Sequence, residues 1–102
     1  MPIAPSQKTN ETQRVEELLR KSFPGASVDA YRQNSAVIRV RMVDPGFEGK
    51  SRIQREEEVL PILKALPEDT LSEITLLLLL TPGEVPHSFM NIEFDDPVPS
   101  SL

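Results

Sequence analysis

The stretch Phe47-Glu48-Gly49-Lys50-Ser51-Arg52-Ile53-Gln54-Arg55 decides how this chain is read. It follows Asp44-Pro45-Gly46, a combination that ends a strand. Within the stretch, Phe47 is suited to plug a core, and Gly49 permits a tight turn. Ser51 caps a helix, with Gln54 at the matching capping-box position. Those residues set the fold. Lys50, Arg52 and Arg55 are left over, three bases in six positions. They read either as a solvated helix face, with Arg55 paired to Glu48 or to Glu56, Glu57 or Glu58, or as part of a binding surface.

Working outward, residues 36–43 alternate, with Ile38, Val40 and Met42 on one side and Arg39 and Arg41 on the other. The first set belongs to a core and the second to an exposed face. Residues 27–31 form the partner strand across Gln33-Asn34-Ser35. Before the hairpin, Asn10 and Gln13 make a capping-box pattern, and Val15, Leu18, Leu19 and Phe23 recur at helical spacing up to Pro24-Gly25. After Ser51, the stripe Ile53, Val59, Leu60, Leu63 and Leu66 extends the second helix, which Pro61 should kink or split. Residues 72–80 are short, apolar and bounded by Thr81-Pro82-Gly83, which predicts a strand covered on both faces. Beyond Glu84 the alternation of Met90, Ile92 and Phe94 with Asn91 and Glu93 reads as a short edge strand or a docked extension.

These elements predict an α+β fold, a small three-stranded sheet with helices on one face in the order α-β-β-α(-α)-β. Residues 1–9 read as a flexible arm, 10–84 as the domain, and 85–102 as an acidic, proline-containing extension.

Charge is segregated along the chain. The net charge is −5, yet all 11 Lys and Arg lie at or before Lys64 against nine acids, leaving +2 there. The rest carries seven acids and no base, −7. Adding Arg39 and Arg41 to Lys50, Arg52 and Arg55 gives five cations able to hold phosphates, each contact steepening the salt dependence by about 0.9. Few aromatics flank them, so such binding would be directed to the backbone or a groove of the nucleic acid rather than to stacked bases.

Other chemistries find little support. Without cysteine there is no disulfide, thiolate ligand or thiol nucleophile. Glu56, Glu57 and Glu58 are helix neighbours pointing roughly 100° apart, so they do not converge on an ion. The single histidine, His87, lacks any partner set for hydrolysis, and no metal ligand set or catalytic residue is assigned. Gly46-Phe47-Glu48-Gly49 matches a GxxG string, but it links a strand to a helix, and Glu48 would repel phosphate. The start of the chain lacks a signal-peptide pattern, and the apolar run from Ile74 to Leu80 is too short to span a bilayer, so a cytoplasmic location without membrane contact is expected.

The string Phe47-x-Gly49-x-Ser51-Arg52-x-x-Arg55 after a hairpin, followed by a helix and a Leu-rich strand ending in Thr81-Pro82-x-Glu84, resembles the BolA family over about residues 11–85. The resemblance implies a fold like a type II KH domain and a non-enzymatic regulatory or adaptor role, as in stress regulation. It implies partnership with a monothiol glutaredoxin in iron–sulfur trafficking, or DNA or RNA binding through the basic face, by a monomer or weak dimer. The chain departs from the family where a cluster would be held. Counting back from Thr81-Pro82, the family's histidine ligand is Glu73 here, the alternative cysteine in the hairpin loop is absent, and His87 falls after the motif. No cofactor is therefore expected of the chain itself.

Overall fold

The alternating residues of the hairpin build the centre of the sheet. The computed structural model describes residues 7–95. In it β1 (Ser27–Asn34) and β2 (Val37–Val43) pair antiparallel, and β3 (Ile74–Leu80) runs parallel to β2, giving the order β1-β2-β3. Val28, Ala30, Ile38, Val40, Met42 and Leu79 face one side of the sheet. There α1 (Asn10–Ser22) and α2 (Arg52–Leu63) cover them with Val15, Leu19, Val59 and Leu63. Burial of each such side chain contributes roughly 1.5–3 kcal/mol. A short α3 (Glu68–Glu73) leads into β3. The order and the helix-covered face are those expected from the sequence.

The turn between β2 and α2 follows its chemistry. Asp44 caps a 3-10 turn (Pro45–Phe47), Phe47 is buried, and Gly49 has φ 78°, a left-handed backbone that favours glycine. Ser51 and Gln54 form the reciprocal capping box at the start of α2.

Several boundaries differ from the sequence reading. α1 is capped one residue earlier, by Thr9 with Thr12 rather than by Asn10 with Gln13: the Thr9 hydroxyl accepts the Thr12 amide and the Thr12 hydroxyl accepts the Thr9 amide. On α2 the buried row is Arg55, Val59 and Leu63, whereas Ile53 and Leu60 are exposed. The expected stripe included Ile53 and Leu60 and left out position 55, where an arginine neutralised by Glu84 completes the buried row at i, i+4, i+8. Pro61 is accommodated within α2, which ends at Leu63, and Pro67 stands just before the separate α3, its carbonyl accepting the Leu71 amide. β3 is covered less fully than predicted: Leu79 and Leu80 are buried, Leu76 to Leu78 half-buried, and Thr75 exposed at the sheet edge.

The acidic extension holds the largest difference. Residues 89–94 form no edge strand; they belong to a helix, α4 (Phe89–Asp95), which buries Asn91 and Phe94. α4 lies on the face opposite α1 and α2, so the docked alternative holds in helical form. The arm read over residues 1–9 falls in part outside the described residues, but Thr9 caps α1, and Lys8 donates to Glu16 and to the Ala30 carbonyl, each at 2.6 Å. Residues 96–102 of the extension also lie outside the described residues.

Candidate functional site

The two ends of the string that runs from Phe47 to Arg55 and closes at Thr81 to Glu84 meet in space. Arg55 sits one helical turn into α2, where its guanidinium points back at the end of β3. Its Nη1 and Nη2 donate to the two oxygens of Glu84 at 2.7 and 3.0 Å, its Nη1 also to the Leu79 carbonyl, and its Nε to the Lys50 carbonyl. The charge lies 5.6 Å from the centre of the Phe47 ring. Glu84 is held for this by its own turn, in which the Thr81 amide donates to Glu84 Oε1 at 2.9 Å and the Glu84 amide to the Thr81 carbonyl. The Arg55 hydrogen bonds, then the Thr81 amide, bring the Glu84 carboxyl down to about 2. Phe47, Arg55 and the Thr81-to-Glu84 turn thus form one clamp across 29 residues of sequence.

The other four candidate cations divide into two groups. Lys50 pairs with Glu58 at 2.6 Å, and Arg52 pairs with Glu56 at 3.3 Å while its side chain stays 85% exposed. Both line a groove of about 440 Å³ floored by Leu76 to Leu80 and closed at one side by Met90 of α4. Arg55 and Glu84 also line it, so the groove's charges sit in ion pairs above an apolar floor.

Arg39 and Arg41 do not form the exposed face that alternation predicted. Arg39 is only 5% exposed, beneath α4. It donates to the Tyr31 hydroxyl at 3.0 Å and to Glu93. Arg41 donates to Asn91 and Asp95, both at 2.8 Å, and to Asp29 at 3.0 Å, with its charge 4.7 Å from the Phe94 ring centre. Phe94 stands edge-on to Tyr31, centroids 5.0 Å apart at 80°, and its carbonyl accepts the Tyr31 hydroxyl at 2.9 Å. Burial raises the Tyr31 hydroxyl's pKa from its ordinary value. The five cations therefore do not share one open surface while α4 is docked.

Sequence reasoning missed Tyr31, Asn91, Glu93, Phe94 and Asp95. Register offers the signal for Tyr31, which lies opposite Arg39 as Asp29 lies opposite Arg41. Nothing comparable places α4, whose partners in the sheet are 50 or more residues away.

At the position where the resembled family has a histidine, this chain has an ion-paired carboxylate. Glu73, at the end of α3, accepts from Arg32 at 2.9 Å, and Arg32 also holds Glu11. A carboxylate committed to a guanidinium does not fit a soft iron–sulfur ligand set. His87 lies exposed in the turn after β3, and no group of three or more metal-binding side chains occurs among the described residues. No helix among them is long and apolar enough to cross a membrane.

No family model matches the sequence, and no curated protein matches it. Solved structures do. BolA1 from Arabidopsis thaliana aligns with TM-score 0.56 and 22% identity, over 76% of this chain and 98% of that one. The solution structure of the XC975 protein aligns with TM-score 0.52 and 24% identity, over 76% and 96%. The class is therefore defined at the level of architecture, an α+β domain of three mixed strands in the order α-β-β-α-α-β. The particular architecture is the BolA-like fold, and in this chain α4 lies on the face of the sheet opposite α1 and α2.

Proposed function

We propose that this chain is a non-enzymatic, BolA-like interaction module of the cytosol that acts by engaging a protein partner, with a monothiol glutaredoxin the first to test. The observation that carries the reading is the clamp. The residues of the resemblance, Phe47, Gly49, Ser51, Arg55, Thr81 and Glu84, are joined in one physical unit within a BolA-like fold. That unit fixes the start of α2 against the end of β3 and leaves Lys50 and Arg52 on the rim of the Leu76-to-Leu80 groove, a surface suited to contact. Ligation of a shared iron–sulfur cluster is not part of the reading, because Glu73 is engaged by Arg32.

Co-purification of the full chain from cells, followed by titration of a purified monothiol glutaredoxin into the labelled protein by NMR, tests this directly. A defined complex whose shifts include Lys50, Arg52 and the groove is expected, weakened by Arg52→Glu. Recovery of free monomer only, with no shift on adding glutaredoxin, would remove the adaptor reading. Co-expression should leave the chain without the visible absorption of an iron–sulfur cluster held through its own side chains.

A further inference from the structure

Helix α4 is amphipathic the wrong way round for a surface helix. Its acids Glu93 and Asp95 and its amide Asn91 turn toward the sheet, whereas Phe89 and Ile92 stand 74% and 62% exposed. Phe94 is its one apolar anchor, fully buried against Tyr31. The principal core, by contrast, is assembled on the opposite face without any residue of α4. The groups beneath α4 are two guanidiniums and a phenol, and among the described residues, apart from Asp29, their side-chain partners outside that set belong to α4. If α4 lifts off, Arg39 loses its carboxylate and Arg41 keeps one of two.

We propose that α4 is a detachable strap occupying a peptide-binding site formed by Tyr31, Arg39 and Arg41, whose natural ligand is an acidic helical segment of a partner carrying an aromatic side chain between carboxylates. α4 itself defines that chemistry. Glu93 and Asp95 flank Phe94 in sequence and meet Arg39 and Arg41, while the ring enters between the guanidiniums and Tyr31. A covalently attached segment of this kind acts at high effective concentration, so a free ligand competes only when α4 is weakened or its exposed Phe89 and Ile92 are captured elsewhere. The inference rests on the interaction-module reading and names the partner's chemistry.

The test uses the full chain. In the variant Glu93→Gln/Phe94→Ala/Asp95→Asn the strap is released, and Tyr31, the chain's single tyrosine in the absence of tryptophan, reports it by fluorescence. The probe is a fluorescein-labelled synthetic peptide with the sequence of residues 88–95. The released variant is expected to bind it at least tenfold more tightly than the unaltered chain, and Arg39→Gln in the released background or Phe94→Ala in the peptide should abolish the gain. Equal binding to both proteins, or none to either, overturns the proposal. So does preferential binding of a single-stranded oligonucleotide over the peptide, which would make the face a nucleic-acid site. Hydrogen exchange on the unaltered chain gives a second measurement. Amides of α4 should exchange at least tenfold faster than those of β2, and equal rates would make α4 part of the global folding unit and not a strap. A defined partner recovered from cells alongside a failed peptide arm would leave the module reading standing and discard the strap alone.

Discussion

Arg55 shows how misleading a local cluster of bases can be. Sequence spacing offers it Glu48 or Glu56 to Glu58 as partners, whereas its actual partner, Glu84, lies 29 positions away. A contact of that separation leaves no periodic trace, which is why the fold-setting roles of Phe47, Gly49 and Ser51 were legible and that of Arg55 was not. A buried guanidinium with a two-pronged carboxylate partner and two carbonyls is costly to orphan. Removing the carboxylate by Glu84→Ala is expected to lower stability by about 2–3 kcal/mol in urea unfolding. Arg55→Lys should recover little, since a point charge cannot span both oxygens. The same pair sets a pH dependence. The Glu84 pKa is about 2 in the folded chain and near the ordinary 4.5 when unfolded, so its stabilisation is complete above about pH 4.5 and disappears as pH falls through 2. The carboxylate is 45% exposed, which screens the pair and holds this contribution to roughly 1–2 kcal/mol. Comparing Glu84→Gln with the unaltered chain from pH 7 to 2 should show a constant gap that closes at the acid end. A gap unchanged at pH 2 would contradict the assignment.

At the scale of the element, α4 and α2 show opposite degrees of legibility. Ser51 and Gln54 announce the start of α2 because a capping box is local chemistry. Ser51→Ala is expected to cost about 1 kcal/mol, measurable as a lower urea midpoint with the slope unchanged. α4 is only seven residues long, and Met90, Ile92 and Phe94 satisfy a two-residue period as well as Phe89 with Ile92, or Asn91 with Phe94, satisfy a helical one. The deciding information lies in the sheet: Tyr31, Arg39 and Arg41 present a polar face that a flat, largely apolar strand would leave unsatisfied, while a helix brings an amide, two carboxylates and one ring to it. Phe94→Ala removes the ring that buries Tyr31. The tyrosine's ionisation, raised by burial in the intact protein, is then expected to fall back toward its ordinary value near 10. Ultraviolet titration of this single tyrosine reads the change, and an unaltered titration would mean that Phe94 does not hold the cover in place.

For the whole molecule, the segregation of charge along the chain becomes an organising force. Among the described residues, four ion pairs join a base from the first 55 residues to an acid from the base-free last part: Arg32 with Glu73, Arg55 with Glu84, Arg39 with Glu93 and Arg41 with Asp95. One binds the end of α3 to the hairpin, one locks the turn after β3, and two hold α4. The sequence displays the imbalance, +2 against −7, but composition alone reads it as a basic face beside an acidic tail; folding brings the two together, so far fewer free cations remain than the count suggests. This makes a quantitative distinction possible. Glu73, Glu84 and Glu93 cross that boundary, whereas Glu17, Glu57 and Glu68 are exposed and make no ion pair among the described residues. Changing either trio to Gln shifts net charge equally, relieving the same self-repulsion in a chain of −5. If the bridging pairs hold the fold, the first trio should lose about 3 kcal/mol or more in all and the second less than about 1 kcal/mol. Raising salt from 0.05 to about 0.5 M should narrow the difference, since screening weakens the exposed portion of each pair. Equal losses from the two trios would mean that net charge, and not the pairing of the two halves, governs stability.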